Sequence, residues 1–195
     1  PEVVRTLYTA AKNLKIDVRT NTHAEQILTD KSGRVVGLKV KGKDGTYTIH
    51  SKAVVDAAGG FGANNEMVAK YVPRLKGFAT TNHPGATGDG LLLAEKIGAQ
   101  LIQMDQIQTH PTVVPNVGEM ITEAVRGNGA VLINKEGKRF FNELETRDKV
   151  SAAILKQKDG VAYLFFDSDM QKSLKATNNY IKQKYCLNGA TLDED

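Results

Sequence analysis

A strand that runs straight into glycines constrains this chain more than any other feature. Ala53-Val54-Val55-Asp56-Ala57-Ala58 reads as a short buried strand, and Gly59-Gly60-Phe61-Gly62 follows it as a glycine-rich turn. A strand end built of small residues lets the backbone come close to a flat or phosphorylated ligand. The spacing is not the G-x-G-x-x-G of a dinucleotide fingerprint, so a plain tight strand–helix turn explains it equally well on local grounds. Asn64 or Asn65 then caps a helix to about Tyr71, and Pro73 stops it.

The flanking sequence reads as a meander. Val3, Val4, Leu7, Tyr8, Ala11 and Leu14 recur at helical spacing. Strands follow over Lys15–Thr20, Ala24–Thr29, Arg34–Val40 and Thr46–His50, with hairpin chemistry in DKSG and KGKDG. A helix over Leu91–Ile97 ends at Gly98. The character changes near residue 105, where MDQIQTHPTVVPNVGEM is mostly irregular. Thr122 opens a short helix, Ala130–Asn134 is a strand, and KEGK turns it towards Arg139. A helix over Arg147–Gln157, a strand over Tyr163–Phe166 and two short helices complete the pattern. The fold class is therefore mixed, α/β then α+β, with a boundary at about 104–106.

Composition removes several classes. A length of 195 residues holds one domain or parts of two. With 41% hydrophobic and 25% charged residues, the chain is neither collagen-like, low-complexity nor disordered. It has no apolar run long enough for a transmembrane helix. Lys plus Arg less Asp plus Glu is 26 − 22 = +4, and the lysines are spread singly. A phosphate-binding surface clusters its cations, so no nucleic-acid partner is expected. A mild positive balance suits a small anionic substrate instead. Cys186 is the one cysteine, which excludes an internal disulfide and a cysteine-based metal site, and no metal is expected. The opening PEVVRTLYTAAKNL is helical from the start, and NGATLDED at the other end reads as a turn and a new helix capped by Thr191. The expectation is an internal segment of a longer protein.

Four features carry candidate chemistry. The first is the turn at Ala58, Gly59 and Gly60. The second is Thr87-Gly88-Asp89-Gly90, where Asp89 opens a helix as a simple cap or as an acceptor for a ligand hydroxyl. The third runs from His110 to Arg126. Thr122 is placed as an N-cap, and Glu123 and Arg126 share one helix face and can pair. N–H groups beside Thr122 and the ring of His110, stiffened by Pro111, can receive a carboxylate. The bland alternatives are a surface ion pair and a structural histidine. The fourth is Thr146-Arg147-Asp148, where Arg147 either points into a cleft or into water.

Taken in order, AAGGFGANNEM, NHPGATGDGLLLAEKIGA, QTHPT, ITEAVRGNGAVLINKEGKRFFNE and TRDKVSAAIL resemble the flavoprotein family of fumarate reductases and succinate dehydrogenases, most of all its soluble flavocytochrome-c-type members. The resemblance covers about residues 1 to 170 and is most specific over 108 to 154. It implies that residues 1–104 are part of a Rossmann-like FAD-binding domain with a β-meander, and 105–195 part of an α+β capping, or clamp, domain. It implies FAD as cofactor, met by the backbone at Ala24, by Ala58, Gly59 and Gly60, and by Asp89. His110 and Thr122, with the backbone at Glu123, match the positions that bind one substrate carboxylate. Arg147 matches the acid that protonates the substrate carbon, and Glu123 and Arg126 the relay that resupplies it.

The implied reaction is reduction of fumarate to succinate. The rivals are reduction of another 2-enoate such as urocanate or methacrylate, succinate dehydrogenase, L-aspartate oxidase, and a degenerate non-catalytic binding module. The intact set of five side chains argues against the last. The implied partners are a small dicarboxylate and an electron donor, a haem domain or a reduced flavin or quinol carrier. Bacterial periplasm and cytoplasm both remain open, with the protein soluble or peripheral to the membrane. The family's G-x-G-x-x-G motif precedes such a segment, and the groups for the second carboxylate follow it, so the segment alone is expected to hold FAD poorly and to be inactive.

Overall fold

The computed structural model describes residues 2–184. Cys186 and Thr191 lie outside the described residues. Contacts cluster into two units, one reaching Gly60 and including Gly88–Ile102, the other formed by Phe61–Thr87 and the described residues from Gln103 onward.

In the first unit, helix α1 (Glu2–Asn13) precedes three antiparallel strands, β1 (His23–Thr29), β2 (Val35–Gly42) and β3 (Gly45–His50), in the order β1-β2-β3. Turn chemistry sets the register. The Asp30 carboxylate accepts from the Ser32 N–H, the Ser32 hydroxyl and the Arg34 N–H, which folds the first connection. Gly42 pairs with Gly45 across the tight second turn. Ile27 and Val40 are buried, and α3 (Asp89–Lys96) packs against β1.

Two expected strands do not form. Residues 15–20 are irregular, and the stretch 53–58 is irregular and pairs with no strand among the described residues. Val55 is 88% exposed. A parallel, buried strand needs neighbours on both edges, and none among the described residues flanks this one.

The second unit has α2 (Asn65–Tyr71), a 3₁₀ turn at Pro73–Leu75, α4 (Glu123–Gly127), β4 (Val131–Ile133), α5 (Arg147–Leu155), β5 (Tyr163–Phe165), α6 (Ser168–Ser173) and α7 (Lys175–Lys182). Asn64 caps α2 as expected, its side chain accepting from the Met67 N–H. Strands β4 and β5 pair antiparallel and separate two apolar clusters. Val125, Ala130, Met170 and Tyr180 form one, and Leu132, Val150 and Ile154 the other, with Leu164 of β5 touching both. Burial of Val125 anchors α4 and burial of Val150 and Ile154 anchors α5. That shared platform brings the first turns of the two helices together. No helix among the described residues is long and apolar enough to cross a membrane.

Candidate functional site

Glu123 and Arg147 are the first residues of α4 and α5. The Arg147 guanidinium grips the Glu123 carboxylate with two bonds, Nε to Oε1 at 2.6 Å and Nη2 to Oε2 at 2.7 Å. Its third nitrogen, Nη1, donates to the Gln108 side-chain carbonyl at 2.7 Å. A bidentate Arg–carboxylate pair fixes both partners in plane. The placement is otherwise costly for Arg147, because a cation at a helix N-terminus opposes the macrodipole, whereas Glu123 is favoured there. The pair is half open to water, with the Arg147 and Glu123 side chains 38% and 47% exposed.

The third member of the predicted relay sits deeper. Arg126 Nη2 lies 3.5 Å from Glu123 Oε1, and the Arg126 side chain is only 5% exposed. This is a buried cation beside a half-exposed carboxylate rather than a surface ion pair. Arg126 Nη1 donates to the Glu143 main-chain carbonyl at 2.5 Å, and Nε is buried with no hydrogen-bond partner among the described residues. The Glu143 carboxylate is itself buried and held by Arg139.

These contacts order the proton affinities. The Arg147 bond, above all, holds the Glu123 carboxyl down to about 2. The same bond raises the Arg147 guanidinium above its usual value. Burial pushes Arg126 the other way. Burial, and then the charge on Arg147, lower His110 and favour its neutral ring. His110 Nδ1 faces the Thr112 N–H at 3.4 Å, and Nε2 is buried without a partner among the described residues. With Nδ1 as acceptor, the neutral tautomer carries its proton on Nε2, which makes that atom a donor for an anion. Thr122 takes the N-cap position of α4, as predicted, but its hydroxyl makes no capping bond. Its hydroxyl stands near the first turn of α4, where the Glu123 amide begins the helix.

The predicted cofactor residues lie in the other unit. Ala24 is on β1 opposite Val40. Ala58, Gly59 and Gly60 are exposed, and a Cβ added at either glycine meets nothing within 4 Å. The turn is braced from behind. The Asp56 carboxylate accepts from the Ala58 N–H at 3.0 Å, and the Gly60 carbonyl accepts from the Gly88 N–H at 3.1 Å. Gly88 caps α3 at a φ of +82°, and Asp89 is the exposed first residue of that helix. Open, braced backbone without intruding side chains fits a flat, phosphorylated cofactor.

Gln108, Thr112, Glu143 and Tyr180 escaped the sequence reading. They stand 39, 9, 17 and 58 residues from the partners they bond. No local pattern marks such separations.

Comparison with known proteins adds the following. The FAD binding domain family matches residues 1–185. A "Fumarate reductase (cytochrome)" of Shewanella frigidimarina is 53% identical over 180 residues, covering 92% of this chain and 32% of the relative. A "Urocanate reductase" of Eggerthella lenta is 47% identical over 163 residues, 81% of this chain and 27% of the relative. The open conformation of a flavocytochrome c3 fumarate reductase superposes with a TM-score of 0.77 at 44% identity, covering 94% of this chain and 33% of that one. The chain thus spans about a third of the length of these relatives.

Proposed function

The chain belongs to the FAD binding domain family, in the branch that holds fumarate reductases and related 2-enoate reductases, and from that premise we propose that it carries the proton-delivering part of a site that reduces fumarate to succinate. Residues up to about 104 would serve the FAD-binding domain and those from about 105 the capping domain. The groups that bind the second substrate carboxylate, and the electron donor, would come from the rest of the protein or from its partner. The observation that carries this reading is the continuous set Arg126–Glu123–Arg147, closed by a bidentate bond between helices and flanked by His110 and Thr122.

Reduced FAD, when bound, supplies a hydride, two electrons with one proton, to one alkene carbon. This chain supplies the other proton. His110 Nε2, the Thr122 hydroxyl and the Glu123 amide hold one carboxylate of the substrate. Arg147 gives a proton to the second alkene carbon. Its bound proton is held tightly, so a neutral Arg147 does not accumulate. The transfer is driven by replacement. Burial makes the Arg126 proton the easier one to lose, and Glu123 spans both guanidinia. Arg147 loses one proton as Glu123 passes it another from Arg126. The product is a saturated dicarboxylate, and charge balances once Arg126 is reprotonated from solvent.

The test is reduced-viologen oxidation by the longer FAD-loaded protein, with fumarate, urocanate and methacrylate offered separately. Fumarate is expected to be the fastest substrate. Turnover of urocanate or methacrylate alone would give the chain another 2-enoate. Arg147→Lys keeps the charge but loses the fork, and a loss on the order of 10²- to 10⁴-fold in kcat is expected. A variant that keeps most of its turnover removes Arg147 from the acid role.

A further inference from the structure

The peptide unit that joins Ile121 to Thr122 is held at both ends by side chains to which the mechanism assigns no task. Its carbonyl accepts from the Thr112 hydroxyl at 2.8 Å. Its N–H donates to the Tyr180 phenol oxygen at 3.1 Å. Tyr180 is on α7, is 5% exposed, and packs its ring with Val125, Ala130 and Met170. Thr112 is 6% exposed, and its own N–H faces His110 Nδ1. A planar peptide fixed at both ends sets the direction in which the next Cα–Cβ bond leaves. That bond carries the uncommitted hydroxyl of Thr122. Tyr180 and Thr122 also line one cavity of about 380 Å³, together with Met120 and Asn179.

We propose that Tyr180 is a positioning residue for substrate binding, aiming the Thr122 hydroxyl through the Ile121–Thr122 peptide, with Thr112 as its counterpart on the carbonyl side. The inference rests on the reading of His110 and Thr122 as carboxylate donors. A tyrosine serving only the core would need its ring but not this bond. Tyr180→Phe separates the two, since it keeps the ring and removes the acceptor. A misaimed donor weakens ground-state and transition-state binding of the carboxylate alike, which raises KM and leaves kcat.

Steady-state kinetics of the longer FAD-loaded protein test this, with fumarate or whichever 2-enoate the wild type reduces. Tyr180→Phe is expected to raise KM about tenfold with kcat within about twofold, the loss of one oriented hydrogen bond. Thr112→Val should do the same, while Thr112→Ser, which keeps the hydroxyl, should retain the wild-type KM. In a Thr122→Ala background, Tyr180→Phe should change KM by less than about twofold, because the group it aims is gone. An unchanged KM in folded Tyr180→Phe overturns the proposal. So does an effect that multiplies in full on the Thr122→Ala background, or a loss confined to thermal stability. Should Tyr180→Phe fail to fold, the Thr112→Val and Thr112→Ser pair decides on the same criteria. A wild type inert towards every 2-enoate overturns the site reading and this inference together. An active wild type with unresponsive variants overturns this inference alone.

Discussion

Glu123 is the residue on which the site turns, and its electrostatics yield a prediction with a definite sign. Arg147 holds its carboxyl at about 2, below the ordinary 4.5. A carboxyl depressed by folding stabilises the fold above its unfolded pKa and loses that contribution as pH falls through the folded one. The stability gap between wild type and Glu123→Gln should therefore be full at pH 7 and close as pH falls from about 4.5 to about 2. Chemical denaturation of both proteins across that range measures it, and a gap independent of pH would refute the pairing. In turnover, Glu123→Gln removes the shared link between Arg126 and Arg147, and kcat should fall on the order of 10²-fold or more. Sequence spacing foresaw the Glu123–Arg126 pair, which lies within one helix. It could not foresee the stronger bond to Arg147, 24 residues away, because that bond depends on where two helices dock. The role proposed for Arg147 comes only through the family resemblance of TRDKVSAAIL.

At the scale of elements, what the sequence disclosed and what it hid divide along local against non-local causes. The β1–β2–β3 meander follows from Asp30, Gly33 and the Gly42–Gly45 turn, all of which act within a few residues. The stretch 53–58 has the composition of a buried strand, yet burial belongs to its neighbours and not to its own residues. Ile16 and Val18 alternate like a strand for the same reason and form none. The turn that follows residue 58 did keep the open backbone that its glycines implied. Its rear support gives a second prediction. A Cβ at Gly90 would fall 2.4 Å from both Asp56 carboxylate oxygens. Gly90 lies in the first turn of α3, where alanine favours the helix, so Gly90→Ala should leave helical content intact. The displaced Asp56 would release the Ala58 N–H and loosen the turn. FAD retention by the longer protein should weaken on the order of fivefold to tenfold, the value of about one hydrogen bond. Equilibrium dialysis against free FAD, with circular dichroism on the same samples, reads both halves. Unchanged affinity would separate this turn from the cofactor.

At the scale of the whole molecule, the apolar surface is distributed as in a part of a larger body. The α1 stripe read from the sequence is real, but α1 has no buried residue, and Val3, Val4 and Leu7 are 72%, 71% and 65% exposed. An amphipathic helix gains its stability from covering such a stripe, and apolar area of this extent in water calls for a cover. The relatives are about three times as long, which provides polypeptide enough to form one. The turn proposed for the cofactor points in the same direction. Its backbone is open at Gly59 and Gly60, and a cofactor of FAD's size needs most of its surface enclosed to bind tightly. The 195-residue chain produced alone should therefore bind a hydrophobic dye strongly, retain no FAD through gel filtration and oxidise no reduced viologen with fumarate. A protein extended to the length of its relatives is expected to lose the dye signal, turn yellow and gain the activity together, as one added body of polypeptide that both covers α1 and encloses the flavin would require. Retention of FAD by the short chain would show that the two units hold the cofactor without further polypeptide, and the division of labour proposed between this segment and the rest would fall.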